Sequence, residues 1–302
     1  MKIDETEISG FKTKLFYLND VIIGASTEIG PRILTLAHGK KPEFNLFGVV
    51  PDLGVQTSDG FWRIFGGHRL WCAPEAKPRS YSLDNKSVKL TVNARSVTIH
   101  GNPEPENATQ KEITVKPLSR NSVQVTHTVR NIGRWPIKLA CWALSVMRPR
   151  GFAVTPIEAS KADGDGLLPD RHLTLWPYTH LTDKRLKLSD EYLFLKQDTE
   201  AVNPIKIGTM ANPPWTVYWV DGYAFVKEFQ LEAGEYPDYG CNVEMYTNPA
   251  ILELETLGPL RTVAPSETIM HTETWRILEV EDLAPEPEAV NSKLKPLIEK
   301  GT

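Results

Sequence analysis

The sequence predicts an all-β protein built mostly from antiparallel strands. Apolar and polar residues alternate over residues 123–129, which is the period of a strand with one buried face. Asp221-Gly222 separates the apolar runs 216–220 and 223–229, as in a hairpin with a two-residue turn. The 23 prolines and 20 glycines are spread along the chain, as expected when many short strands are joined by turns.

Further strands are expected along the rest of the chain. Residues 138–147 form a longer apolar run that suits a buried central strand. Residues 243–246 and 251–255 flank the turn Thr247-Asn248-Pro249, and residues 268–280 alternate once more. The pattern therefore predicts strands up to residue 280, with hardly any amphipathic helix among them.

The expected organisation is one β domain over residues 1–280 and a tail over residues 281–302. Residues 290–300 of the tail are expected to form a short helix, either docked on the domain or frayed. Residues 155–214 are less regular, and a long insertion of this kind in a β domain is often functional. Its Asp163-Gly164-Asp165-Gly166 does not complete a calcium-loop pattern, so we interpret it as a turn.

Composition excludes several classes of function. A formal net charge of -4 over 302 residues argues against a nucleic-acid-binding protein, which would usually be basic. No apolar run is long enough for a membrane helix, and the polar start of the chain has no signal-peptide pattern. The three cysteines are far apart and form no CxxC pair, so neither zinc nor a disulfide framework is indicated. A reducing cytoplasm is the simplest compartment, and we expect a monomer or homodimer.

The segment from Phe65 to Glu75 combines unusual chemistry with a glycine pair. Gly66-Gly67 predicts a tight turn or loop, because glycine reaches backbone conformations that other residues avoid. His68, Arg69, Trp71 and Glu75 then offer a proton carrier, a multi-donor cation, a flat apolar face and an acceptor. A sugar needs these four groups. The alternative is a salt-bridged surface loop with a core tryptophan.

A second group of candidate residues lies near the C-terminal end. Glu253 and Glu255 face the same side of a strand, with backbones roughly 6–7 Å apart. If the pair is buried, at least one pKa should rise, which suits a general base. Glu244 and Tyr246 on the preceding strand face the same patch if the hairpin pairs them, and His271 shares its strand face with a second ionisable residue, Glu273. The alternative is a charged, exposed face.

Several motifs, taken in order, resemble those of galactose mutarotase-like (aldose 1-epimerase-like) proteins, in a poorly characterised bacterial branch. They cover roughly residues 15–280. The motifs are Gly30-Pro31-Arg32-Ile33, Thr128-Val129-Arg130-Asn131-Ile132-Gly133, Trp142-Ala143-Leu144 and Tyr236-Pro237-Asp238-Tyr239-Gly240. Each motif is individually weak, and their order carries the resemblance.

The resemblance implies a β-supersandwich whose concave face binds a carbohydrate. It also implies the aldose 1-epimerase reaction, in which an acid protonates the ring oxygen and a base removes the anomeric hydroxyl proton, with no cofactor. The chain departs from the family where the acid histidine is expected, because residues 138–145 contain no histidine and Trp142 lies there instead. Trp142 then either stacks on a sugar ring or belongs to the core.

The sequence predicts a carbohydrate-binding cleft and leaves three functions open. The first is an epimerase-like enzyme with Glu253 or Glu255 as base and His68 as a substitute acid. The second is a sugar-binding module without catalysis, and the third is a polysaccharide hydrolase or lyase that uses the Glu253/Glu255 pair. The remaining residues expected to contact the sugar are Arg69, Trp71, Glu75, Trp142, Glu244, Tyr246 and His271.

Overall fold

The computed structural model describes residues 1–160 and 164–300, so Asp163 of the predicted turn lies outside the described residues. Strands account for 52% of the residues and helical turns for 8%, which confirms the all-β prediction. Within the described residues, the strands form two large sheets and one separate hairpin, and adjacent strands pair antiparallel. No helix in the described ranges is both long and apolar enough to cross a membrane.

The first sheet carries the candidate site, and eleven strands of the described chain belong to it. Its spatial order is β1 (Lys2–Ile8), β2 (Phe11–Leu18), β3 (Val21–Ser26), β4 (Arg32–His38), β7 (His68–Ala73), β12 (Ile137–Val146), β21 (Leu252–Leu257), β20 (Val243–Thr247), β17 (Ile205–Thr209) and β14 (Leu173–Leu175), with β22 (Arg261–Val263) paired to β12. Since strands distant in sequence meet at β7, β12 and β21, long-range pairing builds the centre of this sheet.

The second sheet packs against the first and has ten strands within the described ranges. Its spatial order is β15 (Leu186–Leu188), β16 (Tyr192–Lys196), β13 (Phe152–Pro156), β18 (Trp215–Val220), β19 (Tyr223–Phe229), β23 (Thr268–Glu279), β11 (Ser122–Asn131), β10 (Thr109–Pro117), β9 (Ser96–His100) and β8 (Lys89–Asn93). The predicted hairpin at Asp221-Gly222 is confirmed, and both turn residues have positive φ, as a tight hairpin turn requires.

The main core lies between the two sheets. Phe16 and Ile33 of the first sheet and Phe225 and Trp275 of the second are fully buried there. A second apolar layer covers the outer face of the second sheet. In it, the C-terminal segment packs Val290, Leu294 and Ile298 against strand residues. This segment consists of α1 (Pro287–Ala289), a π-helical turn (Val290–Leu294) and α2 (Lys295–Glu299), so the tail is docked.

The prediction of a loop over residues 65–75 is wrong beyond the glycine pair. Gly66 and Gly67 do have positive φ, and a Cβ on Gly67 would lie 2.3 Å from the backbone oxygen of Ile33, so glycine is required there. The next residues, however, form β7, an entirely buried strand between β4 and β12. β7 separates the core from the cleft, so both of its faces are buried and polar side chains lie on each. Its sequence therefore lacks the alternation of apolar and polar residues that predicts a strand.

Candidate functional site

The cross-strand register brings the candidate residues to one face of the first sheet. Arg69 lies opposite Leu144, Leu144 lies opposite Glu255, and Glu255 lies opposite Glu244. Residues directly opposite one another project to the same side of a sheet, so all four side chains face away from the main core. A cleft of about 480 Å³ lies over this face.

The walls of the cleft are largely aromatic. On one side, the hairpin of β5 (Val49–Thr57) and β6 (Gly60–Gly66) places Trp62 against Trp71, with ring centroids 5.4 Å apart. Tyr81, from the short helical turn Arg79–Tyr81, completes this side. On the other side lie Trp176, Tyr178 and Tyr246, with the last two in edge-to-face contact. Such rings offer flat apolar faces above a polar floor.

Arg32 of the Gly30-Pro31-Arg32-Ile33 motif fixes the hairpin that carries Trp62. Its Nη1 donates to the backbone oxygens of Ile64 and Gly66 at 2.8 and 2.7 Å, and its Nη2 lies 2.5 Å from Asp84 Oδ2. Arg32 is fully buried, so these bonds satisfy a charge that would otherwise be costly to desolvate. The motif therefore positions one wall of the cleft.

Arg69 and Glu253 form a buried ion pair in the floor. Arg69 Nη1 lies 2.6 Å from Glu253 Oε1, and the two residues are only 2% and 7% exposed. The guanidinium stacks over Trp71 at 4.4 Å from the ring centroid. Among the residues that the structure describes, none accepts a hydrogen bond from Arg69 Nε. Arg69 therefore keeps one buried N–H donor without a protein acceptor.

Lys206 holds two more carboxylates together. Its Nζ lies 2.7 Å from Glu244 Oε2 and 3.1 Å from Glu255 Oε2, and Trp142 Nε1 also donates to Glu255 Oε2 at 2.8 Å. Burial raises the pKa of Glu255, and it raises the pKa of Glu244 to well above its ordinary value. For Lys206, burial alone would lower the pKa, but the two carboxylates outweigh it and raise that pKa well above its usual value.

Glu244 is a floor residue that the cleft does not reach. It is fully buried, and neither of its oxygens completes a hydrogen bond among the described residues, although Lys206 lies at ion-pair distance. Its side chain lies over Gly208, where a Cβ would be 3.2 Å from Glu244 Cγ and 2.6 Å from Cys241 Sγ. Glycine at position 208 therefore leaves the space that Glu244 occupies.

The structure corrects the predicted positions of His68 and His271. Successive strand residues project to opposite faces, so His68 points away from the cleft that its neighbour Arg69 lines. His68 Nδ1 lies 2.9 Å from Ser145 Oγ, and its Nε2 lies 2.7 Å from His127 Nε2, inside the core. His271 Nε2 lies 2.9 Å from Thr256 Oγ1, also beneath the floor. Neither histidine lines the cleft with Glu253.

These histidines belong to a buried polar network between the sheets. At its centre, Glu273 lies 2.9 Å from Lys227 Nζ and accepts a hydrogen bond from Trp275 Nε1 at 2.6 Å. Lys227 also donates to the backbone oxygens of Ala143 and Leu254, at 3.1 and 3.4 Å, in the floor strands β12 and β21. A fully buried lysine of the second sheet therefore supports the floor from below.

His68, His127 and Glu273 place one donor atom each within 4.8 Å of one another, and zinc uses these ligand types. The Lys227 ammonium already lies beside the Glu273 carboxylate. A divalent ion would add two charges next to this buried cation, at a high desolvation cost. We therefore interpret the three residues as part of a hydrogen-bonded core.

The buried network predicts a loss of stability in acid. Burial lowers the pKa of His271 to about 3. Burial alone would raise the pKa of Glu273, but the neighbouring Lys227 ammonium outweighs this effect and lowers that pKa to about 2. Burial also lowers the pKa values of His68 and His127. Because the unfolded chain binds these protons first, His271 should remove about 1.4 kcal/mol of stability per pH unit from about pH 6.5 down to about pH 3. His68 and His127 should add to this loss, and Glu273 should add to it below about pH 4.5.

Urea denaturation between pH 7.5 and pH 4.5 measures this loss. We expect the midpoint to fall steadily with pH, and the slope to be shallower in His271→Asn. A midpoint that stays constant down to pH 5 would contradict the neutral state of the buried histidines.

The structure therefore brings most of the predicted site residues together. Those that line the cleft are Arg69, Trp71, Glu75, Trp142, Tyr246, Glu253 and Glu255. The cleft is also lined by residues that the sequence pattern did not predict, namely Lys206, Trp62, Trp176 and Tyr178. One sequence feature could have indicated Lys206, because it is a lone charge between Ile205 and Ile207 in an apolar run. Trp176 and Tyr178 lie in the irregular insertion that was already expected to be functional.

Comparison with known proteins supports the fold. No family model and no curated protein matches the chain. Among solved structures, a candidate aldose 1-epimerase of Klebsiella pneumoniae has a TM-score of 0.56 and 13% identity, over 92% of this chain and 84% of that one. A candidate aldose 1-epimerase of Escherichia coli K12 has a TM-score of 0.53 and 12% identity, over 92% and 99%.

A galactose mutarotase-like protein of Lactobacillus casei has a TM-score of 0.53 and 9% identity, over 92% of this chain and 100% of that one. Identities this low establish the architecture alone. The likeness nevertheless extends over nearly the whole length of each chain. This protein therefore has the galactose mutarotase-like fold, as the order of its sequence motifs predicted.

Proposed function

We propose that this protein binds a carbohydrate in the cleft and interconverts its anomers. One observation carries the proposal: aromatic walls enclose a floor that holds both the Arg69–Glu253 ion pair and the Glu255 carboxyl. Pockets of this size, mostly apolar with a few convergent polar groups, are typical of small-ligand sites. The solved structures with this fold that are described as aldose 1-epimerases favour the same class of ligand.

Binding would use both kinds of surface. The faces of Trp62, Tyr81 and Trp176 suit the apolar C–H face of a sugar ring. Arg69 and Glu253 both line the cleft, so they offer donor N–H groups and acceptor oxygens to sugar hydroxyls.

Catalysis would use the two carboxyls of β21. Glu253, held by Arg69, takes the proton from the anomeric hydroxyl, while Glu255, whose pKa burial raises, gives its proton to the ring oxygen. The bond between C1 and the ring oxygen breaks, and an open-chain aldehyde forms. After rotation about C1–C2 the ring closes in the other configuration, and both protons return. The product is an isomer of the substrate, so no further reactant is needed.

A second candidate function is sugar binding without catalysis. Two observations favour it. None of the described residues that line the cleft is a histidine, and Glu255 already accepts hydrogen bonds from Trp142 and Lys206. A carboxyl engaged in this way has to change partners before it reaches a ring oxygen.

Replacing Arg69 with Ala tests the binding step. We expect the affinity for the best saccharide to fall by about 1–3 kcal/mol, because a buried multi-donor group is lost. Isothermal titration calorimetry against a panel of mono- and oligosaccharides measures the change. Arg63→Ala is the matched control, since Arg63 is exposed on β6 and does not line the cleft.

Arg69→Lys keeps the charge beside Glu253 and separates lost recognition from lost folding. If the wild-type protein binds no saccharide of the panel, the proposed function fails.

A further inference from the structure

We infer that the carboxylates of the floor neutralise its cations, so that the cleft admits uncharged saccharides and excludes phosphorylated or carboxylated ones. The inference rests on the proposed function and adds the charge class of the ligand. It makes Glu253 a residue that determines specificity through Arg69.

The cations of the floor are already engaged. Arg69 Nη1 lies 2.6 Å from Glu253, and Lys206 Nζ lies 2.7 Å from Glu244 and 3.1 Å from Glu255. Two cations therefore meet three carboxyl groups, and all five residues are buried. The floor is neutral even if one carboxyl is protonated, and it is negative if all three are ionised.

The exposed rim of the cleft, at Glu75 and Lys77, adds no excess of positive charge. Glu75 and Lys77 are both exposed there and carry opposite charges. In the described part of the chain, Lys77 forms no ion pair, and its ammonium lies 5.6 Å from the centroid of the Tyr81 ring. Water and salt screen a single exposed lysine, so it is a weak anchor for an anion.

The floor carboxylates would therefore repel an anionic sugar, whereas a neutral sugar would form hydrogen bonds with the same floor. Protein sites for phosphate present uncommitted arginine or lysine groups, or the N-terminus of a helix. In this cleft the guanidinium of Arg69 faces Glu253, and Glu255 lies two residues further along the same strand. Inside a buried site the repulsion between a phosphate and the Glu253 carboxylate is much stronger than in water.

Matched ligand pairs test the inference on the full-length wild-type protein. The probes are glucose and galactose, each with its 6-phosphate and its uronate, titrated by calorimetry at low and at high salt. We expect each neutral sugar to bind at least about tenfold more tightly than its anionic partners. We also expect its affinity to be nearly independent of salt.

Glu253→Gln should increase the affinity for phosphorylated sugars, which the loss of a purely structural carboxylate would not do. Removal of this carboxylate leaves the Arg69 charge free, so the affinity for the 6-phosphates should rise about tenfold while that for neutral sugars changes less. Glu43→Gln is the control, because Glu43 is exposed and outside the cleft.

Tighter binding of a 6-phosphate or uronate than of the neutral sugar to the wild-type protein would overturn the inference and leave the proposed function standing. A Glu253→Gln protein with no gain in phosphate affinity would also overturn it. If neither neutral nor anionic sugars bind, the proposed function and the inference fail together.

Discussion

Replacement of Glu253 by Gln is expected to lower the rate of anomer interconversion by roughly 10²–10⁴-fold, the usual contribution of a positioned general base. Glutamine keeps the shape and one acceptor for Arg69, whose Nη1 lies 2.6 Å from the carboxylate. Binding of a neutral sugar should therefore persist while the basic oxygen is lost. Polarimetry or saturation-transfer NMR on freshly dissolved α-sugars measures the rate.

Two comparisons make this experiment specific. Glu255→Gln should lower the rate as well, because it removes the proposed acid, whereas Glu43→Gln should leave it unchanged. A Glu253→Gln protein as fast as the wild type would exclude Glu253 as the base. Wild-type rates no faster than buffer, with sugar binding present, would favour the binding function without catalysis.

Replacement of Lys227 by Met is expected to lower the free energy of unfolding by about 3–5 kcal/mol, the cost of leaving one charge of a buried pair without its partner. Lys227 Nζ lies 2.9 Å from Glu273, and both residues are fully buried. The two hydrogen bonds from Lys227 to the floor strands are lost in addition. Urea denaturation at pH 7.5 measures the change.

The double variant Lys227→Met/Glu273→Gln should recover part of this loss, since no unpaired charge remains. Lys86→Met at an exposed position should stay within about 0.5 kcal/mol of the wild type. A loss below 1 kcal/mol in Lys227→Met would show that the buried pair does not support the sheet.

The sequence alone was sufficient for the elements that depend on near neighbours. Alternation with period two predicted the strands around residues 123–129, and Asp221-Gly222 predicted its hairpin, because the backbone conformation of a turn follows from a few local residues. It also placed Glu253 and Glu255 on one face, since residues two apart in a strand always share a face. The order of the motifs indicated the fold.

Only the tertiary structure decided which face of each strand became the cleft. On β7, His68 lies on one face and Arg69 on the other, so alternation could not tell the core from the cleft there. The ion-pair partner of each buried charged residue could not be predicted from the sequence either. Lys206 meets Glu244 and Glu255 only because β17, β20 and β21 lie side by side, and Lys227 meets Glu273 only because β19 pairs with β23. Strand order arises from contacts between distant parts of the chain, and local patterns carry no information about it.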